Sequence, residues 1–182
     1  MASDEKLQDG VVLGGGIAGL AFAAAMSRHE RRVTVLEAAS TLRAHGSGLV
    51  LGPTAMLALR RLGLRDQVIA AGQILRRGGL ADLSMRPLSH DVFGYFGERA
   101  GEPFVGVERS TLVGMLAEAA PDCRTSARYV SIEQSDSGVT IKLEAGDPLK
   151  CNKRRRSRQR QLPACGMHLH GSADAPESVH GW

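Results

Sequence analysis

The feature that most constrains this chain is a cluster of glycines between two short apolar stretches. Residues 10–37 read GVVLGGGIAGLAFAAAMSRHERRVTVLE. Val11, Val12 and Leu13 suit a strand buried on both faces. Gly14, Gly16 and Gly19 follow in GxGxxG spacing. Residues 17–28 predict a helix rich in Ala and Leu, and residues 32–37 alternate as a second strand. Strand, glycine turn, helix and strand make a βαβ unit.

Each glycine in such a unit has a physical task. Gly14 permits the tight turn out of the strand. Gly16 lets a pyrophosphate approach the backbone. Gly19 lets helix and strand pack closely. The helix N-terminus offers free N–H groups and partial positive charge to phosphates. Glu37 ends the second strand 18 residues after Gly19. Its carboxylate can accept hydrogen bonds from both hydroxyls of an adenosine ribose, and it would repel a 2′-phosphate. That points away from NADP at this site. The motif alone does not separate FAD from NAD.

Charge excludes one class of function. Residues 1–150 carry 17 basic and 17 acidic residues, so the formal net charge of +4 lies wholly in the last 32 positions. A uniformly basic nucleic-acid-binding domain is excluded, and no nucleic-acid partner is expected. Hydrophobic residues make up 43% and aromatics only 4%, so Leu, Val, Ile and Ala must fill the core. Cys123, Cys151 and Cys165 form no CxxC pair, which predicts a reducing, cytoplasmic compartment rather than a disulfide framework. Residues 11–27 lack charge but are short for a span and hold three consecutive glycines. Asp4, Glu5 and Asp9 before them have the wrong sign for a secretory leader. No membrane partner is expected.

From residue 38 the sequence runs AASTLRAHGSGLVLGPTAMLALRRLGL. Pro53 fits a first helical position, and Gly63 fits a left-handed cap after Leu62. The basic Arg43, the small turn Gly46-Ser47-Gly48, the apolar Leu49-Val50-Leu51 and this helix resemble the N-terminal part of the FAD-dependent aromatic hydroxylases, the class A flavoprotein monooxygenases. A second segment, VERSTLVGML at 107–116, is similar to the family's Arg-x-x-Leu-x-x-x-Leu stretch. The resemblance implies an α/β fold, with a Rossmann-type FAD-binding βαβ core and part of an adjoining β-sheet. It implies FAD as cofactor, contacted by Gly14, Gly16, Gly19, Glu37, Arg43, Gly48 and Arg109. It further implies NAD(P)H as reductant, O2 as co-substrate and a small aromatic substrate. No catalytic side chain is assigned, because the cofactor carries such chemistry. Two alternatives stay open: a non-catalytic dinucleotide-binding fragment, and a flavin-dependent dehydrogenase or reductase.

Leu112, Val113 and Leu116 are expected on the buried face of a helix after Arg109. Residues 74–104 read as short strands, with Val92, Phe93, Tyr95 and Phe96 as an aromatic-rich strand after His90. His90 receives no role. Residues 129–132 and 139–143 alternate around Ser135-Asp136-Ser137-Gly138 and predict a hairpin. The family resemblance then calls for a strand ending in Ala-Asp-Gly, and none is legible after Gly146-Asp147. Residues 1–150 are therefore expected to be a partial FAD-binding domain of a truncated copy. Residues 151–182 are expected to be a basic, disordered tail of non-family sequence. Other readings of the tail are a localisation or RNA patch on Lys153-Arg154-Arg155-Arg156 and a metal site from Cys165, His168 and His170 with Cys151. A shifted reading frame is favoured as its origin. The expected metal content is none, since the spacing lacks paired CxxC geometry.

Overall fold

The computed structural model describes residues 9–42, 48–89, 91–136 and 138–152. Arg43, Gly46, Ser47 and His90 lie outside the described residues, as do residues 153–182 with the tail and metal readings placed on them. In chain order the elements are β1 (Gly10–Leu13), α1 (Ile17–Ser27), β2 (Val33–Leu36), β3 (Gly48–Leu51), α2 (Pro53–Leu62), α3 (Arg65–Ala71) and β4 (Gln73–Leu75). They continue as α4 (Val92–Ala100), β5 (Phe104–Glu108), α5 (Arg109–Ala119), β6 (Cys123–Arg124), β7 (Tyr129–Gln134), β8 (Gly138–Leu143) and β9 (Leu149–Asn152).

These strands form three sheets of three. The first is parallel, in the order β1-β2-β6, with Gly10 opposite Val33 and Leu13 opposite Leu36. The second is antiparallel, β3-β5-β4. The third is the antiparallel meander β7-β8-β9.

Alternation along β1 shows how the parallel sheet is covered. Val12 packs into the main core with Leu20 and Ala23 of α1 and Leu112, Val113 and Leu116 of α5. Val11 and Leu13 point the other way, into a smaller core with Leu36, Ala127 and Ile141. Helices cover one face and the meander the other, as a parallel sheet requires. The main core continues through Met56, Leu59, Val68, Val105 and Val107, so the second sheet shares it.

Helix ends follow local rules. Pro53 stands at the start of α2, and Gly63 closes it at φ +76°. Only a residue without Cβ takes that angle at no cost. Glu102, which is 3% exposed, is paired with Arg60 and Arg65, tying α2 and α3 to the turn before β5.

Two sequence expectations need correction. The stretch read as a strand at 92–96 is the helix α4. Asp91 caps it by accepting from the Gly94 N–H at 3.1 Å, and the Phe93 ring stacks on Phe104 at 4.7 Å. The aromatic composition suggested a strand, but Val92, Phe93, Tyr95 and Phe96 stand at i, i+1, i+3 and i+4, which is helical spacing. The second concerns the start of the expected disordered tail at 151: β9, which reads LKCN and carries no Ala-Asp-Gly ending, pairs antiparallel with β8, buries Cys151 and extends the third sheet to Asn152.

Candidate functional site

The site forms where β1 and β2 end side by side. The Gly14 N–H donates to the Leu36 carbonyl at 2.8 Å, so the glycine loop starts level with the tip of β2. Gly14 has φ +106°, a conformation that L side chains rarely adopt, and the chain turns there toward α1. A Cβ on Gly19 would lie 2.2 Å from the Gly14 carbonyl oxygen and 3.0 Å from Val12 Cγ1. Backbone meets backbone there, so only glycine fits. A Cβ on Gly16 would meet nothing within 4 Å. Gly16 borders open space.

Gly16 is also the N-cap of α1 and brings no side-chain acceptor, and the first turn of α1 carries no acidic residue. The first intrahelical bond runs from the Leu20 N–H to the Gly16 carbonyl. The amides of the first turn ahead of it have no intrahelical acceptor, and the helix dipole adds positive potential at the same place.

Glu37 sits at the lip of this loop. Its Oε2 accepts from the Gly15 N–H and its Oε1 from the Ala39 N–H, both at 2.8 Å. The carboxylate is thus held by backbone on both oxygens. Gly14, Gly16, Gly19 and Glu37 come together at this one place.

Gly48 and Arg109 lie apart from that loop, at one end of the second sheet and the start of α5. The β3–β5 register sets Gly48 opposite Glu108, one residue before Arg109. Arg109 opens α5 and is half-buried. Arg43 lies outside the described residues.

Several contributing residues escaped the sequence reading. Gly15 is the buried member of its glycine run. Thr34 is fully buried on β2, and its hydroxyl donates to Asp122 Oδ2 at 2.6 Å. Arg124 grips the same carboxylate through Nε and Nη2, both at 3.2 Å. Burial alone would raise the Asp122 pKa, but the hydrogen bonds from Arg124 and Thr34 outweigh it and hold the group below the usual carboxylate value. Cys123, between these residues, has its thiol pushed up by burial first and then by the charges of Glu37 and Asp122. Thr34 was legible only as the polar member of an apolar strand. Its partner lies 88 residues away.

Among the described residues no group of three or more His, Cys, Asp or Glu could hold a metal ion. No described helix is long and apolar enough to cross a membrane.

Comparison with known proteins bears on this arrangement. The NAD(P)-binding Rossmann-like domain family matches residues 12–60. The chain is 34% identical over 145 residues to a 3-amino-4-hydroxybenzoate 2-monooxygenase of Streptomyces platensis, covering 74% of this chain and 35% of that protein. It is 30% identical over 142 residues to an FAD-dependent monooxygenase of Aspergillus niger, covering 75% of this chain and 33% of that protein. In fold it is similar to the p-nitrophenol 4-monooxygenase of Pseudomonas putida, with a TM-score of 0.73 and 19% identity, covering 80% of this chain and 39% of that one. The chain spans about a third of the length of the curated relatives it matches.

Proposed function

We propose that this chain, which matches the N-terminal part of FAD-dependent aromatic hydroxylases, is the FAD-binding portion of such a monooxygenase. The observation that carries the proposal is the pairing of an open glycine loop with a carboxylate held at its lip. The fit is specific. A Cβ at Gly19 would collide with the Gly14 carbonyl, whereas the space beside Gly16 is free, and the first-turn amides of α1 lack side-chain acceptors. That is a cradle for a pyrophosphate.

Within it, Glu37 would accept the ribose hydroxyls of the adenosine half. Gly14, Gly16 and Gly19 would let the pyrophosphate reach the amides of α1. Gly48, opposite Glu108 on β5, and Arg109, the next residue and the first of α5, would face the flavin half. Arg43 would add a cation after the ribose site. When bound, FAD reduced by NAD(P)H supplies the means to transfer one oxygen atom of O2 to a small aromatic substrate. The chain's own residues bind and orient, and none is assigned as an acid or base.

A second reading is a dinucleotide-binding protein without turnover, supported by the match of residues 12–60 to the NAD(P)-binding Rossmann-like domain family. Purification with added FAD separates the two. A retained yellow chromophore with substrate-stimulated NAD(P)H oxidation and oxygen uptake supports the monooxygenase. Retained FAD without turnover supports the second reading. A colourless protein that ignores FAD contradicts both.

A further inference from the structure

We infer that residues 76–89 form a lipid-contact loop: its apolar side chains enter the headgroup region of a bilayer, and Arg76 and Arg77 at its base meet anionic headgroups. The inference does not depend on the FAD-binding reading.

Exposure marks the loop out. The four most exposed large apolar side chains among the described residues are Leu83, Met85, Leu80 and Leu88, each at least 69% exposed. Single exposed apolar residues are ordinary on a protein surface, whereas a cluster of four points to an interaction site. Met85 also takes φ +60°, a conformation that Gly or Asn adopts more readily than a bulky residue. Stability of the loop alone does not call for a methionine there.

The backbone of the loop is fit to leave water. The Leu88 and Ser89 N–H groups donate to the Leu80 carbonyl at 2.7 and 3.2 Å, and the Leu80 N–H donates to Ser89 Oγ at 2.8 Å. The Asp82 N–H donates to the Arg86 carbonyl and the Met85 N–H to the Asp82 carbonyl, both at 2.9 Å. Asp82 Oδ1 accepts from the Ser84 and Arg86 amides, and its Oδ2 pairs with the Arg86 guanidinium. Polar groups already paired lose little on dehydration, which is what an apolar boundary demands of a backbone.

Charge and shape select the medium. Residues 76–89 hold Arg76, Arg77 and Arg86 against Asp82, and Asp82 is engaged within the loop. A positive base under an apolar tip matches an anionic membrane surface, where basic side chains stay with the headgroups. At such exposure each apolar side chain stands clear of its neighbours, so the four offer a second protein no preformed flat face or groove. A fluid interface needs none. The base of the loop is fixed: the Val92 N–H donates to the Gly78 carbonyl at 2.9 Å, and a Cβ on Gly78 would lie 2.4 Å from the Phe93 ring. The contact is an insertion of side chains, distinct from a span; no described helix is long and apolar enough to cross a membrane.

The test floats the whole chain with vesicles of equal parts phosphatidylcholine and phosphatidylserine, and with phosphatidylcholine alone. Residues 153–160 are rich in Lys and Arg and stay unchanged in every variant. Circular dichroism checks folding, which substitutions at exposed positions should leave intact. The chain should bind the mixed vesicles more tightly than the neutral ones. Leu83→Ser with Met85→Ser should lower partition into the mixed vesicles at least about tenfold. Arg76→Gln with Arg77→Gln should lower it about five-fold per arginine at low salt. In a Trp182→Phe background, Leu83→Trp should shift its emission to the blue on mixed vesicles and be quenched by brominated acyl chains. A wild-type chain that ignores the vesicles overturns the inference, as does an unshifted emission from Leu83→Trp. Equal binding by wild type and the Leu83→Ser, Met85→Ser variant also overturns it, by assigning the contact to the basic residues 153–160. So does a vesicle-independent dimer, seen by light scattering, that the same variant dissolves, because the loop would then be an interface between copies.

Discussion

Two turns in this molecule are organised by a carboxylate that accepts backbone N–H groups, and they differ in reach. Glu37 takes the amides of Gly15 and Ala39. Asp82 takes the amides of Ser84 and Arg86 and also the Arg86 guanidinium at 3.0 Å. Asp82 closes a loop of five residues beside the Ala81–Pro87 bridge, with Leu83 fully exposed at its tip. Glu37 ties two strands of the parallel sheet together across 22 residues. The local bonds are alike, but the first turn is part of the core's architecture and the second is a self-contained loop. The difference teaches that a turn's coupling to the fold depends on where its acceptor comes from, and mutation should expose that coupling in graded fashion.

The largest effect is expected at Gly19. Gly19→Val would press a branched side chain onto the Gly14 carbonyl and Val12, and neither can retreat without parting α1 from β1. A loss of about 3 kcal/mol or more is expected, read as a fall of roughly 6–12 °C in the thermal midpoint. A Gly19→Val chain that melts with wild type would show that the glycine loop is no more coupled to the core than the Asp82 turn.

Asp122 comes next. Asp122→Ala strands the buried Thr34 hydroxyl and frees Arg124, which should cost about 1–3 kcal/mol in urea denaturation. The pH dependence follows from the lowered pKa of this carboxyl. A depressed folded-state pKa stabilises the protein above the ordinary carboxylate value, and that contribution disappears as pH falls through the lower, folded value. Wild type should therefore lose stability on acidification more steeply than the variant. Parallel acid limbs for the two proteins would contradict the assignment.

Asp82→Ala should act least. Its ion pair with Arg86 is exposed, and such pairs contribute about 0–1 kcal/mol. The global midpoint should stay within experimental error, while hydrogen exchange quickens at the Ser84 and Arg86 amides alone. Cooperative loss of the whole domain would erase the contrast between the two turns.

The same contrast explains what was legible in the sequence. The bounds of β1, α1 and β2 lie within one residue of those expected, because glycine spacing, apolar runs and a terminal acid are local signals. Pro53 and Gly63 marked the ends of α2 for the same reason. Helix α4 was misread because β-branched and aromatic composition was weighed over spacing, although Asp91 was a visible cap. Strand β9 was missed because Leu149–Asn152 has little pattern of its own and gains its place from pairing with β8. The Thr34–Asp122–Arg124 stitch and the Gly15–Glu37 clamp depend on contacts between distant residues. No local window contains them.

The central claim is that the glycine loop and Glu37 form a site for an adenine dinucleotide. Calorimetric titration of the purified chain and of Glu37→Ala with FAD tests it most directly. The account predicts one FAD per chain and a loss of about tenfold or more in affinity for Glu37→Ala, with folding retained. Equal affinity in the two proteins, or no binding to the wild-type chain, would contradict it.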